Sequence, residues 1–285
     1  MGSMSLPAVL EPHPRTDAGA SALASLLADP EQAMLAFDFD GTLAPIVDDP
    51  EHAHASARSV DALERIGPCV GKIAVVTGRP VETALRLGGF ADREGLSRMT
   101  ILGQYGAERW DAETRESSVP PPPEAVALVR AEIPALLARL GIEEARLEDK
   151  GRAVVVHTRG LADPASAQDL LAEPLAELAR LHGLSAEHGR YVVEVRDSSV
   201  DKGAALRGLV TETGTRTIVY AGDDLGDLPA YAALKNMRAH GAAEVMLIAV
   251  ASDEQRALMP RADLVVHGPE ELAGWLERLA DALGC

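Results

Sequence analysis

Aromatic residues are scarce in this sequence. Phe, Tyr and Trp make up 3 % of its 285 residues, although 47 % are apolar. The apolar load falls on Ala, Leu and Val, which suits Ala-rich helices packed on a Val/Ile-rich sheet. Cysteine is scarcer still. Cys69 and Cys285 are the two, and neither a disulfide framework nor a CxxC metal site is visible. A reducing cytoplasm fits that usage. Basic residues are outnumbered, 27 Lys and Arg against 44 Asp and Glu, for a formal charge of −17. The chain lacks the basic footprint that nucleic acid or an anionic membrane needs. No apolar run is long enough to span a bilayer. Residues 1–16 lack the basic-then-apolar layout of a signal peptide and read as a disordered lead. There is no repeat of solenoid length, and the only low-complexity tract is Pro120 to Pro123. The high apolar content implies a sizeable core and argues against disorder elsewhere.

What the chain does have is a strand–helix rhythm that is interrupted once. Helix is expected over 18–28, 56–66 and 80–87, and strands over 33–38, 72–77 and 99–102, with a shorter extended piece at 107–110. That order implies a parallel sheet. The four prolines then mark a linker. Beyond it come a helix (124–140), two runs facing each other across Lys150-Gly151, a second helix to 181, and a strand pair across His188-Gly189-Arg190. This is an α+β unit with antiparallel strands. From Asp201 the first rhythm resumes, with helices at 201–213, 228–236 and 269–283 and strands at 217–221, 244–250 and 263–266. The fold class is therefore α/β. A Rossmann-like parallel-sheet core domain over 17–118 and 199–285 carries an inserted α+β cap domain over 119–198.

The residues with chemical potential collect at strand ends. Met34 to Phe37 reads as a buried strand, followed by Asp38, Phe39, Asp40 and Gly41. Alternation puts Asp38 and Asp40 on one side, and Gly41 can turn the chain away. Two such charges about 4 Å apart repel by roughly 4 kcal/mol at an effective dielectric near 20. They require a cation, a shared proton, or both. The strand ending in Thr77-Gly78-Arg79 offers a hydroxyl donor and a guanidinium. Asp201-Lys202-Gly203 offers a lysine at a helix start. Gly222-Asp223-Asp224-Leu225-Gly226-Asp227 offers three more carboxylates. All of them can converge at the C-terminal edge of one sheet, where open α/β folds place their sites.

Asp38-x-Asp40-Gly41-Thr42, then Thr77, then Lys202, then Gly222-Asp223-Asp224-x-x-Asp227 resembles the four motifs of the haloacid dehalogenase-like phosphatases. The insert lies between the second and third motifs, as the type-2 cap of sugar phosphatases does. The resemblance implies Asp38 as nucleophile, forming an aspartyl-phosphate, and Asp40 as general acid and then base, kept protonated at first by crowded, apolar surroundings. It implies Mg2+ held by Asp38, the backbone carbonyl of Asp40 and Asp223, with Asp224 or Asp227 completing the set. Thr77 and Lys202 are expected to bind phosphate, with Gly41, Gly78 and Arg79 beside them; Arg79 is a stronger candidate for pairing with a core carboxylate than for touching substrate.

Three further stretches resemble trehalose-6-phosphate phosphatases, their actinobacterial members most. Leu147-Glu148-Asp149-Lys150-Gly151 with Val156-His157-Thr158-Arg159 is similar to that family's Glu-x-Lys-Gly…His-x-Arg hairpin. Val193-Glu194-Val195-Arg196 is similar to its Glu-bearing strand. Gly103-Gln104-Tyr105-Gly106-Ala107-Glu108 is similar to a Gly-x-His-Gly-x-Glu segment, with tyrosine in place of histidine. Gly222-Asp223-Asp224-Leu225-Gly226-Asp227 has glycine where many members carry threonine. The implied substrate is trehalose 6-phosphate, a small-molecule sugar phosphate, with Glu148, Lys150, Arg159 and Glu194 on its hydroxyls. No protein partner is implied. Hinges are expected near Ser118–Pro121 and Asp197–Val200. Three other readings compete: a different sugar or glycerate phosphatase, a phosphosugar mutase, and a non-catalytic sugar-phosphate-binding protein. Mutases of this superfamily usually carry a helical cap just after the first motif, and only the short stretch 42–55 is available there.

Overall fold

The computed structural model describes residues 10–47, 49–189, 191–197, 200–252 and 256–285. The chain divides into two compact units. One runs to Val119 and resumes at Asp201–Cys285; the other is Pro120–Val200.

In the larger unit the first strands are β1 (Ala33–Phe37), β2 (Lys72–Val76), β3 (Met99–Gly103), β4 (Glu108–Asp111) and β5 (Glu116–Ser118). The smaller unit contributes β6 (Arg146–Asp149), β7 (Ala153–His157), β8 (Ser185–Gly189) and β9 (Val192–Arg196). The larger unit then closes with β10 (Thr217–Gly222), β11 (Glu244–Ala251) and β12 (Leu264–His267). Its sheet runs in the order β12-β11-β10-β1-β2-β3-β4-β5. All pairs from β12 to β3 are parallel. β4 and β5 are antiparallel to their neighbours, so the sheet is mixed at that edge. The links before β4 and before β5 are too short to hold the crossover that a parallel pair requires.

β1 and β10 are buried along their whole length, as strands covered on both faces must be. Alternation splits β1 between two cores. Leu35 and Phe37 pack with helices α1 (Asp17–Ala28), α2 (Ala57–Ile66) and α3 (Val81–Gly88) on one face. Met34 and Ala36 join the other core. The smaller unit has its own helices, α4 (Glu124–Leu140) and α5 (Pro164–Leu181). α6 (Lys202–Thr213) and α7 (Leu228–Ala239) line the second face of the large sheet, and α8 (Gly268–Leu283) lies beside α2 on the first. The chain steps from β1 outward to β2 and β3 on one side, and from β10 outward to β11 and β12 on the other. The strand order thus reverses between β1 and β10, and a crevice opens beyond their C-terminal ends.

The smaller unit is a four-stranded antiparallel sheet, order β6-β7-β9-β8. Val154, Val156, Val193 and Val195 face α4 and α5 and form its core with Val129, Ile133, Leu171 and Leu175. The alternate residues lie on the opposite face. Arg190 and the hinge residues Ser198 and Ser199 lie outside the described residues.

Two expectations are corrected. The lead does not run to residue 16: Leu10 is fully buried, Arg15 hydrogen-bonds the carbonyls of Met259 and Ala262, and the Thr16 hydroxyl caps α1. Residues 1–9 lie outside the described part. The cysteines are also paired. Cys69 and Cys285 form a disulfide across 216 residues of sequence. A spacing that long carries no local signature. The pairing follows from α2 packing along α8, through Arg58 with Glu270 and Glu277 and Arg65 with Asp281. No helix among the described residues is long and apolar enough to cross a membrane.

Candidate active site

β1 delivers Asp38 and β10 delivers Asp223 to the crevice. The two strands are in register from Ala33 with Thr217 to Phe37 with Ala221, and the Asp38 amide continues the ladder by donating to Ala221 O at 2.9 Å. Gly41 then turns the chain at φ 73°; a Cβ there would lie 2.1 Å from Asp223 Oδ2. Only glycine lets the β1 loop pass that close to the carboxylate.

Lys202 enters from the first turn of α6, whose N-cap Asp201 accepts the Ala204 amide at 2.7 Å. Its buried ammonium lies 2.7 Å from Asp38 Oδ1 and 2.7 Å from Asp227 Oδ1. Asp227 has no exposed surface. Its Oδ1 also accepts the Tyr220 hydroxyl at 2.6 Å. Its Oδ2 accepts the amides of Asp223 and Asp224 at 2.9 and 3.3 Å. Both oxygens are thus engaged in holding Lys202 and the 222–224 turn. Gly222 is required by the same packing, because a Cβ there would meet Asp227 Oδ2 at 2.4 Å.

Asp38, Asp223, Asp224 and Asp227 each place one carboxylate oxygen within 4.8 Å of the others. Four carboxylates face one ammonium, and the imbalance shows in their protonation. Burial pushes Asp38 up to about 8 against the pull of Lys202, with Asp227 and Asp224 adding to the rise. Burial pushes Asp223 up to about 10, helped by Asp38, Asp224 and Asp227. Asp224 is raised by burial and by Asp227. Lys202 loses by burial but is held charged by Asp227 and Asp38. An all-oxygen, anionic set of this size fits a hard divalent cation, which would replace the protons such crowding demands. The cluster can hold such an ion; Asp38, Asp223 and Asp224 have the freer oxygens.

Thr77 is buried, two residues beyond the Val75 that pairs with Phe37. Its Oγ1 accepts the Arg79 amide at 3.1 Å and keeps its own proton to donate. Arg79 belongs to a carboxylate. Its Nε and Nη2 donate to Asp40 at 2.7 and 2.6 Å, its Nη1 to Pro50 O at 3.0 Å, and its guanidinium lies 5.6 Å from the centre of the Phe39 ring. This revises the surroundings expected for Asp40. It is 41 % exposed and bound by a cation, neither crowded nor apolar.

In the smaller unit, β6, β7 and β9 align Glu148 and Glu194 on either side of Val155, on the sheet face turned away from α4 and α5. Lys150 Nζ reaches Glu194 at 2.9 Å. Glu148 lies 2.7 Å from His157 Nε2. Arg159 stacks on Tyr191 at 5.7 Å. Sequence reasoning did not single out Tyr220, whose only signal is one hydroxyl in an apolar strand. It quoted Glu108 without a role; its carboxylate accepts the Val81 amide at the start of α3.

A switch-point crevice with Asp38 and Asp40 just beyond the end of the first strand, Lys202 opposite, and an α+β insert between them in sequence defines the haloacid dehalogenase-like class. The sequence pattern described as Trehalose-phosphatase matches residues 36–260. The chain belongs to the trehalose-phosphatase family. It is 30 % identical over 257 residues to the trehalose-phosphate phosphatase of Mycobacterium avium, covering 87 % of this chain and 62 % of that protein. It is 30 % identical over 216 residues to a probable trehalose-phosphate phosphatase of Sinorhizobium fredii, covering 73 % and 76 %. The chain therefore spans less than two thirds of the mycobacterial relative. The fold is shared with the C-terminal domain of the C. albicans trehalose-6-phosphate phosphatase, at TM-score 0.71, 20 % identity, and 94 % and 98 % coverage. It is shared equally with the C-terminal domain of the Candida albicans trehalose synthase regulatory protein, at TM-score 0.65, 12 % identity, and 93 % and 99 % coverage. Likeness of fold does not by itself carry the reaction.

Proposed function

We propose that the chain hydrolyses a phosphate monoester of a sugar, trehalose 6-phosphate first among candidates, with Mg2+ as the cation. The carrying observation is the Lys202 ammonium 2.7 Å from both Asp38 and Asp227 beside the carboxylate cluster. A carboxylate beside a cation-binding cluster and a fixed ammonium is what phosphoryl transfer from an ester to an aspartate requires. The cation, held by Asp38, Asp223 and Asp224, would supply charge neutralisation for the phosphate oxygens.

Asp38 attacks phosphorus while the bond from phosphorus to the sugar oxygen breaks. Lys202 together with the cation would keep the buried carboxylate charged, and Lys202 meets the incoming phosphate. The Thr77 hydroxyl donates to a phosphate oxygen, beside Gly41 and Gly78. Asp40 gives its proton to the departing oxygen, then takes one from the water that cleaves the aspartyl-phosphate. Arg79 holds Asp40 through both oxygens, an arrangement suited to receiving the water's proton; donating one requires that contact to open. Glu148, Lys150 and Glu194 form the polar face for sugar hydroxyls, with Arg159 at its edge. A mutase reading gains no support, since the insert follows Thr77 rather than Asp40.

Phosphate release from a panel of sugar phosphates, with Mg2+ and with chelator, tests the reading. Trehalose 6-phosphate is expected to be the best substrate and chelator to stop turnover. Another sugar leading the panel overturns the substrate, and turnover that survives chelation overturns the cation.

A further inference from the structure

Gln104 and Tyr105 both hold left-handed backbone, at φ 48° and 61°. Side chains rarely adopt that region, and such strain persists only where the surroundings impose it. Here the imposition is visible. The Gln104 amide donates to Arg79 O at 2.9 Å and the Tyr105 amide to Thr77 O at 2.8 Å. A Cβ on Gly103 would lie 2.7 Å from Val81 N and 2.9 Å from Arg79 O. The elbow after β3 is thus tied to the stretch that carries the Thr77 hydroxyl and the Asp40-bound Arg79. Glycine would make the same turn without strain, as Gly106 does one residue later at φ 106°.

The bend sets the Tyr105 phenol on Gly78. A Cβ on Gly78 would lie 2.9 Å from both the ring Cζ and the hydroxyl oxygen. The phenol end therefore rests against the residue between Thr77 and Arg79. Gln104 beside it is 5 % exposed, and its Nε2 has no acceptor among the described residues. A buried donor left so is destabilising unless a ligand or water meets it.

We infer that Tyr105 is a specificity-determining residue. Its phenol walls the crevice beside Thr77 and meets the organic group that leaves the phosphate. The ring offers a face to the C–H groups of that organic group. The inference rests on the sugar-phosphatase reading above. It differs from that reading in assigning selectivity to the sheet-edge elbow of the larger unit as well as to the insert.

Steady-state kinetics of Tyr105→Phe and Tyr105→Gly test it, using the best sugar phosphate of the panel and p-nitrophenyl phosphate. Tyr105→Phe keeps ring and backbone, so folding is not at issue. Its KM for the sugar phosphate is expected to stay within about threefold of the wild type, because the wall remains. Tyr105→Gly relieves the strain and removes the wall. Its sugar-to-aryl ratio of kcat/KM is expected to fall at least tenfold, with thermal unfolding confirming the fold. A ratio that stays at the wild-type value in both variants overturns the inference, as do equal losses on both substrates. A wild type that hydrolyses aryl phosphate but no sugar phosphate overturns the functional reading and this inference together, so the two failures are distinguishable.

Discussion

Arg79 grips both oxygens of Asp40 with the Nε–Nη2 edge of its guanidinium, at 2.7 and 2.6 Å, and anchors itself on Pro50 O through Nη1. The two residues lie in the loops that follow the neighbouring strands β2 and β1, and their contact aims the Asp40 carboxylate. In the proposed reaction Arg79 would therefore serve the phosphate only indirectly.

Arg79→Ala separates aiming from gripping. If Arg79 positions Asp40, kcat falls about 10–100-fold while KM for a small aryl phosphate moves little. If Arg79 binds the phosphate itself, KM carries most of the loss. Initial-rate curves with p-nitrophenyl phosphate distinguish the two.

Asp227→Asn is expected to destabilise the protein by about 3–5 kcal/mol, because it leaves the buried Lys202 with one partner fewer. Either orientation of the amide turns N–H groups toward donors: Lys202 and Tyr220 on one side, the Asp223 and Asp224 amides on the other. Tyr220→Phe removes one hydrogen bond and should cost about 1 kcal/mol. Denaturant unfolding of both variants checks the order. Equal small losses would mean that Asp227 is not the post holding Lys202.

The pH dependence follows from the sign of the carboxylate shifts. Asp38 and Asp223 titrate at about 8 and about 10 in the fold, against about 4 in an unfolded chain. Between those values the folded state binds more protons, so their contribution to stability is full below about pH 4 and is lost as pH rises through 8 and 10. A divalent cation bound in the cluster would take the place of the protons. Melting temperatures in Mg2+ and in chelator should therefore diverge from pH 5 to pH 9, the cation-loaded protein being the more stable. Curves that stay parallel would argue against a cation in this cluster.

The parts of this architecture that the sequence revealed are those with local signatures. Buried apolar runs ending in Asp38, Thr77 and Gly222, and the four prolines near 120, each announce themselves within a few residues. What escaped is non-local or depends on side-chain direction. Cys69 and Cys285 meet only because α2 lies along α8. β5 is a three-residue strand with no apolar face, formed because β4 offers an edge. Tyr220 reads as one more core residue until Asp227 is seen under its hydroxyl. Arg79 left two partners open, and the β1–β2 register decided for Asp40.

The disulfide has a measurable consequence. Cys69→Ser, or reduction of the wild type, is expected to cost about 2–4 kcal/mol, since the bridge restrains a very long loop of the unfolded chain. The α2–α8 ion pairs are exposed and contribute little by themselves. Unfolding curves with and without reductant check it; coincident curves would mean the bridge does not form in solution.

Glu148→Ala examines the insert. Glu148 is fixed by His157 at 2.7 Å and shares its face with Lys150 and Glu194, which bond each other at 2.9 Å. A neutral sugar presents hydroxyls alone, and charged partners are the stronger hydrogen-bonders to them. Removing one such partner is expected to lower kcat/KM for trehalose 6-phosphate about 10–100-fold. The loss for p-nitrophenyl phosphate should be far smaller, because that ester has no hydroxyls to offer Glu148. His157→Gln should show the same asymmetry at smaller size, as it loosens Glu148 without removing it. If both esters lose equally, the hairpin supports the fold of the smaller unit rather than the recognition of sugar.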